Sequence, residues 1–390
     1  MWAAAALGVA AAPALSAPYV PASDDVVLER LPWRAGDATA TALAGLRAAA
    51  RSDPDSAQAA ADLAERYFDL ALAQGDPRYV GYADAALARF KGEPGAEWLT
   101  MRGVVRQYRH DFPGALQDFE RALQKDPSHA PAHAWRGAVR LVQAEPTLAM
   151  QDCEALRRLD RAALAGACAG LAFAYAGRLE DAARTLEQAL ASAGADEQRV
   201  WLLTRLAEVA AWQDRPQVAE QRYRQALALG VESVYLRTAW ADFLLDESRP
   251  AEVLQTLDGR ESVDSLLLRL TEAATTLKRP QAQGWQRTLQ DRYAAARARG
   301  DTTHLGEEAR FELQVRGDAA TALRLAQENY TTQREPRDAR ILLLSAAATG
   351  NLAAARAAID WLQRTGFEDR RMRALAGLSS APPRPDPPAR

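Results

Sequence analysis

Residues 96–129 read AEWLTMRGVVRQYRHDFPGALQDFERALQKDPSH, two helix-period apolar runs separated by a turn at positions 110–113. Gly103 in the first run is followed twelve residues later by Ala115, then by Phe119, Ala122, Leu123 and Pro127. Two helices approach closely only where small side chains leave room. Gly103 and Ala115 therefore mark a helix–helix contact, and Phe119 fills the space beside it. Proline cannot continue a helix, so Pro127 closes the unit.

The unit recurs in both directions. A lone helix over about 38–51 ends at Asp53-Pro54, and a first full pair spans 57–93 with the longer turn Gln74-Gly75-Asp76-Pro77 before a helix over 79–90. A third pair covers 130–162, where Gly137, Ala149 and Cys153 replace Gly103, Ala115 and Phe119. The fourth covers 163–196, with Gly170, Gly177 and Ala182 in register. Three more pairs, 200–233, 234–263 and 264–300, share an Arg-Pro turn at Pro216, Pro250 and Pro280. Each proline is expected at the start of a second helix, where its missing N–H costs nothing. The shortened spacing between the last two implies a clipped second helix near Asp258-Gly259-Arg260. Pairs at 303–335 (turn Gly317) and 336–369 (turn Gly350) complete the array.

This spacing resembles the tetratricopeptide repeat (TPR), with a small residue on the first helix, small-aromatic-small on the second and proline as the stop. The expected fold is all-α, a TPR-like α-solenoid of about nine helix pairs over 38–370, each pair stabilised by stacking because none buries its own apolar face. The resemblance implies a right-handed superhelix whose concave face is built from the first helix of every pair. It also implies that the lone helix caps the N-terminal end.

Composition agrees with the class. Isoleucine occurs only at Ile341 and Ile359, and β-type alternation is scarce. The net charge of -3, without a basic stripe, disfavours nucleic acid as partner. Lysine is confined to Lys91, Lys125 and Lys278 while arginine is abundant, which we read as the codon usage of a GC-rich bacterial genome. Residues 1–17, MWAAAALGVAAAPALSA, form a short apolar run ending in small residues, the pattern of a signal peptide cut after Ala17 or, as the alternative, Ala14. The run is too short to span a bilayer well, so no stable membrane insertion is expected after cleavage. An extended leader over 18–37 follows it, and a Pro-rich disordered tail is expected over 371–390, ending SSAPPRPDPPAR. Export to the periplasm is the expectation.

Catalytic and metal signatures are weak. His129 and His133 have the i, i+4 spacing of two helix-borne ligands, but Pro131 between them places His129 in the turn. His110 and His304 have no nucleophile or base nearby in sequence. Carboxylates such as Glu180-Asp181 and Glu307-Glu308 read as solvated faces, and the phosphate-cradling and nucleophile-elbow motifs are missing. No cofactor or metal and no enzymatic activity are expected. Most of Trp98, Trp135, Trp201, Trp212, Trp240, Trp285 and Trp361 read as helix-packing residues.

Two constellations stand out. Cys153 and Cys168, the only cysteines, lie at similar distances from the turn at 160–163 on antiparallel helices, and in an oxidising compartment they are expected to form a disulfide. Second, one register position on the first helices reads Glu208, Asp242 and Glu272, where other pairs carry Glu65, Val104, Ala138, Leu171, Phe311 and Leu344. Trp201 and Tyr235 stand seven residues before the first two acids, two turns away on the same face. Such a ladder suits an extended partner segment carrying Arg or Lys. The expected function is therefore a periplasmic scaffold that binds a protein or peptide in its concave groove. The alternative is an accessory subunit for envelope glycan or metal chemistry that holds a small ligand.

Overall fold

The computed structural model describes residues 21–23, 26 and 37–378. The signal peptide expected at 1–17 and the segment 379–390 lie outside the described residues, as does most of the leader. The chain divides into two units, residues 1–45 and 46–390. Helix α1 (Ala38–Ser52) begins in the first unit on Asp37, whose Oδ1 accepts from the amides of Thr39 and Ala40 at 2.9 and 3.2 Å, and its residues from 46 onward belong to the second.

The second unit, among the described residues, carries nine helix pairs. They are α2 (Ala57–Gln74) with α3 (Arg78–Arg89), α4 (Ala96–Tyr108) with α5 (Phe112–Lys125), α6 (Ala130–Val142) with α7 (Pro146–Arg158), α8 (Ala162–Tyr175) with α9 (Leu179–Ala191), and α10 (Asp196–Trp212) with α11 (Pro216–Ala228). Then come α12 (Val234–Asp246) with α13 (Pro250–Thr256) and α14 (Asp264–Thr276) with α15 (Ala282–Ala298). In the eighth pair α16 (Leu305–Phe311) widens into a π-helical turn (Glu312–Arg316) before α17 (Ala319–Tyr330). The ninth joins α18 (Pro336–Ala348) through a 3-10 turn (Leu352–Ala355) to α19 (Arg356–Thr365), and α20 (Arg370–Leu375) follows.

One conformational device makes every intra-pair turn. Gly75, His110, Ala144, Gly177, Asp214, Ser248, Lys278, Gly317 and Gly350 all have φ between 52° and 73°. A left-handed residue past a helix end lets the next amide reach back to an orphan carbonyl. The amide of Asp111 reaches Arg106 at 3.0 Å, that of Glu145 reaches Arg140 at 2.8 Å, and that of Arg249 reaches Leu244 at 2.8 Å. Only four of the nine positions are glycine, so composition alone conceals the device.

The close contacts fall where small residues allow them. A Cβ on Gly103 would stand 2.5 Å from Phe119 Cε1, and one on Gly170 would stand 2.6 Å from Leu186 Cγ. Both partners are completely buried. Pro216 and Pro250 open α11 and α13, and α13 is cut to seven residues, with Gly259 in the left-handed region beyond it. Pro280 departs from expectation. It lies in a turn before α15, where the carbonyl of Arg279 accepts from Ala282 at 3.2 Å and delays the helix. The tail boundary expected at 371 also moves, because α20 buries Met372 and extends the helical array.

The pairs do more than stack on their neighbours. One apolar cluster runs from α7–α10 into α16–α20, joining Tyr175 and Leu206 to Ile341, Trp361 and Phe367. Phe367 is fully buried, with its ring centroid 5.4 Å from that of Trp212 and 4.8 Å from that of Trp361. Likewise Phe68 of α2 meets Tyr108 of α4 and Trp135 of α6 edge-on at 6.0 and 5.8 Å. Late pairs thus fill the face that early first helices would otherwise present to solvent.

Candidate functional site

Glu208 on α10, Asp242 on α12 and Glu272 on α14 share the inner face, as the repeat register requires, but each is engaged by this chain. Arg269 grips Asp242 with Nε and Nη2 at 2.8 and 3.0 Å, and Arg310 Nη1 adds a third bond at 2.6 Å. Burial pushes the Asp242 carboxyl up, and the two guanidinium groups more than reverse this, holding it well below the usual carboxylate range. Arg310 also clasps Glu272 with Nε and Nη2 at 2.5 and 2.9 Å, and Glu272 keeps only 7% of its exposure. Arg269 pairs in addition with Glu307.

The aromatic end of the ladder is filled in the same way. The Arg205 guanidinium lies between two rings, 5.2 Å from the Trp201 centroid and 4.4 Å from that of Tyr235. Its Nη1 donates to Glu208 Oε2 at 3.0 Å and to the Tyr235 hydroxyl, which donates to Glu208 Oε1 at 2.5 Å. Burial raises the Tyr235 hydroxyl well above its ordinary value, so it remains a donor at any physiological pH.

The constellation is therefore an arginine-binding surface, with two aromatic faces and three carboxylates. The expected free ladder is corrected in its occupant. The arginines that engage it here are the chain's own Arg205, Arg269 and Arg310. A tethered guanidinium has a large effective concentration at a nearby carboxylate, and an external segment must compete against it. The same pairing extends along the inner face. Arg340 of α18 forms two bonds of 2.6 Å to Asp246 of α12, which Arg371 also reaches at 3.0 Å. Tyr175 of α8 donates to Glu335 at 2.9 Å, and the Arg334 amide donates to Val142 O at 2.7 Å.

Other carboxylates read as solvated are likewise paired. Glu308 is only 4% exposed and meets Arg297, while Glu180 meets Arg215 and Asp181 meets Arg178 and Arg184. His133 is not a ligand candidate, since Nδ1 faces Asp152 Oδ1 at 2.9 Å and Nε2 faces Pro127 O at 3.1 Å. His129 caps no backbone group with its ring and begins α6. Trp98, Trp240 and Trp361 are buried and the other described tryptophans half-buried.

One repeated motif lies outside the sequence-based expectations. Arg102 and Arg106 clamp the fully buried Asp118 at 2.5 and 2.7 Å, and Arg136 and Arg140 clamp the fully buried Asp152 at 2.7 and 2.8 Å. All three residues of the first clamp recur 34 positions later in the second, a signal visible in the sequence once charged positions are compared in register. Cys153 and Cys168 are bonded, tying α7 to α8 and so the third pair to the fourth.

No protein-family model matches the chain, and no curated protein matches it. Similar solved structures include pilF of Pseudomonas aeruginosa, at 23% identity over 51% of this chain and 92% of that one, with a TM-score of 0.40. A tetratricopeptide repeat protein of Parabacteroides merdae aligns at 12% identity over 72% of this chain and 97% of its own, with a TM-score of 0.33. The TPR domain of P58(IPK) aligns at 13% over 72% and 96%, with a TM-score of 0.27. The helix pairs themselves, with their repeated left-handed turns and small-residue contacts, establish the TPR-like α-solenoid.

Proposed function

We propose that the protein is a non-catalytic interaction scaffold of the periplasm that binds a protein partner. The observation that carries the location is the Cys153–Cys168 bond, since disulfides form and persist in oxidising compartments. No helix among the described residues is long and apolar enough to cross a membrane. Helix-pair arrays of the TPR type serve protein interaction in general, and the paired charges of the inner face leave the outer surface for the partner.

The test has two arms. Fractionation of cells producing the full chain, with thiol titration of the denatured protein, should give a periplasmic protein without free thiols. Two free thiols in a cytosolic fraction would overturn the location. Purified chain should capture a specific envelope protein, and the interaction should be saturable when both are re-measured pure. Absence of any saturable protein partner, or turnover of an envelope glycan by the chain, would overturn the scaffold reading.

A further inference from the structure

A cavity of about 450 Å³ opens between residues 47–56 and the helices α2 and α3, away from the filled inner face. Its floor is apolar, formed by Leu63, Ala86 and Phe90, all buried. Its wall is aromatic. Tyr67 packs with its ring centroid 5.6 Å from that of Tyr82, a residue 41% exposed at the rim, and Tyr79 closes the group at 5.9 Å from Tyr82. Arg47 Nε donates to the Tyr67 hydroxyl at 2.7 Å and its guanidinium lies 5.5 Å from that ring, so the wall is fixed in place.

The charge of this cleft contrasts with the inner face. Arg47, Arg51 and Arg89 line it against one carboxylate, Asp53. Arg51 and Arg89 are exposed and have no ion-pair partner among the described residues, whereas the arginines of the inner face are matched to acids. An apolar floor beneath an unmatched pair of guanidinium groups fits neither a bare inorganic anion nor a basic chain. It fits a segment with an apolar side chain for the floor and flanking carboxylates for bidentate recognition by arginine.

We infer that this cleft is the docking site for an acidic, apolar-centred segment of the partner protein. The inference rests on the scaffold reading and assigns it a surface. Recognition is by the outer end of the array, with Arg51 and Arg89 reading the carboxylates and Tyr82 covering the apolar residue.

The experiment uses the full mature chain and fluorescein-labelled hexapeptides with a central Leu-Phe flanked by Glu and Asp, against the same peptides flanked by Lys. The acidic peptides should bind saturably, and affinity should fall steeply with salt. Arg51→Glu with Arg89→Glu should weaken binding about ten-fold or more, the equivalent of losing charge-assisted bonds. Both positions are exposed, so the variant should keep the parent melting temperature. Equal binding of acidic and basic peptides, no binding of the acidic ones, or an unaffected double variant would overturn the inference. Self-association abolished by the double variant would assign the cleft to a second copy and overturn it as well. Capture of an envelope partner by wild type and variant alike would sink the cleft while leaving the scaffold reading intact. Failure of both to capture any partner would instead sink that reading.

Discussion

Arg310 on the eighth pair donates to Asp242 on the sixth, 68 positions earlier, at 2.6 Å. The same guanidinium is the grip on Glu272, so one side chain holds two carboxylates from two different pairs. Removing it leaves Glu272 buried and without its cation. Arg310→Leu should cost about 3 kcal/mol in urea unfolding, near the low end for a broken buried pair because Arg310 is partly solvated. Adding Glu272→Leu should recover most of that loss, since an apolar replacement of both partners removes the stranded charge. A single-variant cost well under 1 kcal/mol would show that water replaces the arginine freely.

Gly103 is required by the space in front of Phe119 rather than by its backbone. Gly103→Ala gains about 1 kcal/mol of helix propensity, but its methyl would overlap the buried ring. A net destabilisation of about 1–3 kcal/mol is expected from overpacking. Gly81→Ala is the control, because a Cβ there meets nothing within 4 Å, and it should stabilise by up to about 1 kcal/mol. Thermal melts of the two variants should move in opposite directions.

Ala144 sits in the left-handed turn of the third pair with φ +61°. An L-residue there pays a steric cost that glycine avoids, so Ala144→Gly should stabilise by about 1 kcal/mol. Chemical denaturation checks it, and a loss of stability would mean that the unfolded-state entropy of glycine dominates.

His110 has the same turn geometry and a titratable ring, whose nitrogens face Gln333. Burial pushes its pKa down to about 4, helped by the charges of Arg337 and His304 and opposed by those of Asp301 and Glu335. The folded value lies below the ordinary 6.5, so the unfolded state takes up the proton first on acidification. The stabilisation is complete above 6.5 and is lost as the pH falls to about 4, a change of roughly 3 kcal/mol. His110→Asn keeps a residue tolerant of the left-handed region and removes this titration. The stability difference between wild type and variant should therefore shift by roughly that amount between pH 7 and 4. Asp338 acts with the opposite sign, because burial raises its carboxyl to about 6 and it favours the folded state as the pH falls through that value. Comparing the two proteins at each pH cancels its effect. A constant difference would show that His110 is freely solvated.

Much of the array was legible before any coordinates. Gly103, Ala115 and Phe119 recur because helix packing needs the same small and large positions in every pair, and that need is local. The intra-pair turns were legible where glycine marks them, at Gly75, Gly177, Gly317 and Gly350, and where an Arg-Pro step does, before Pro216, Pro250 and Pro280, but the left-handed residue itself was not, as at Ala144 or Lys278. There the reach-back hydrogen bond imposes the conformation on a residue that does not advertise it. The acids of the ladder were legible as a common face, and their chemistry as an arginine site was legible too. The occupant was not, because Arg205, Arg269 and Arg310 are three among many arginines and nothing in linear spacing says which of them returns.

The sequence by itself determined the class, the nine helix pairs and the residues that set their contacts, because periodicity and side-chain volume act between neighbours along the chain. Only the tertiary structure decided that the inner face is closed by α16–α20, that its carboxylates are neutralised from within, and that an apolar cleft with unmatched arginines remains elsewhere. Those outcomes depend on how small rotations between successive pairs accumulate. That accumulation brings Arg340 to Asp246 across 94 positions, and no repeat unit read alone contains it.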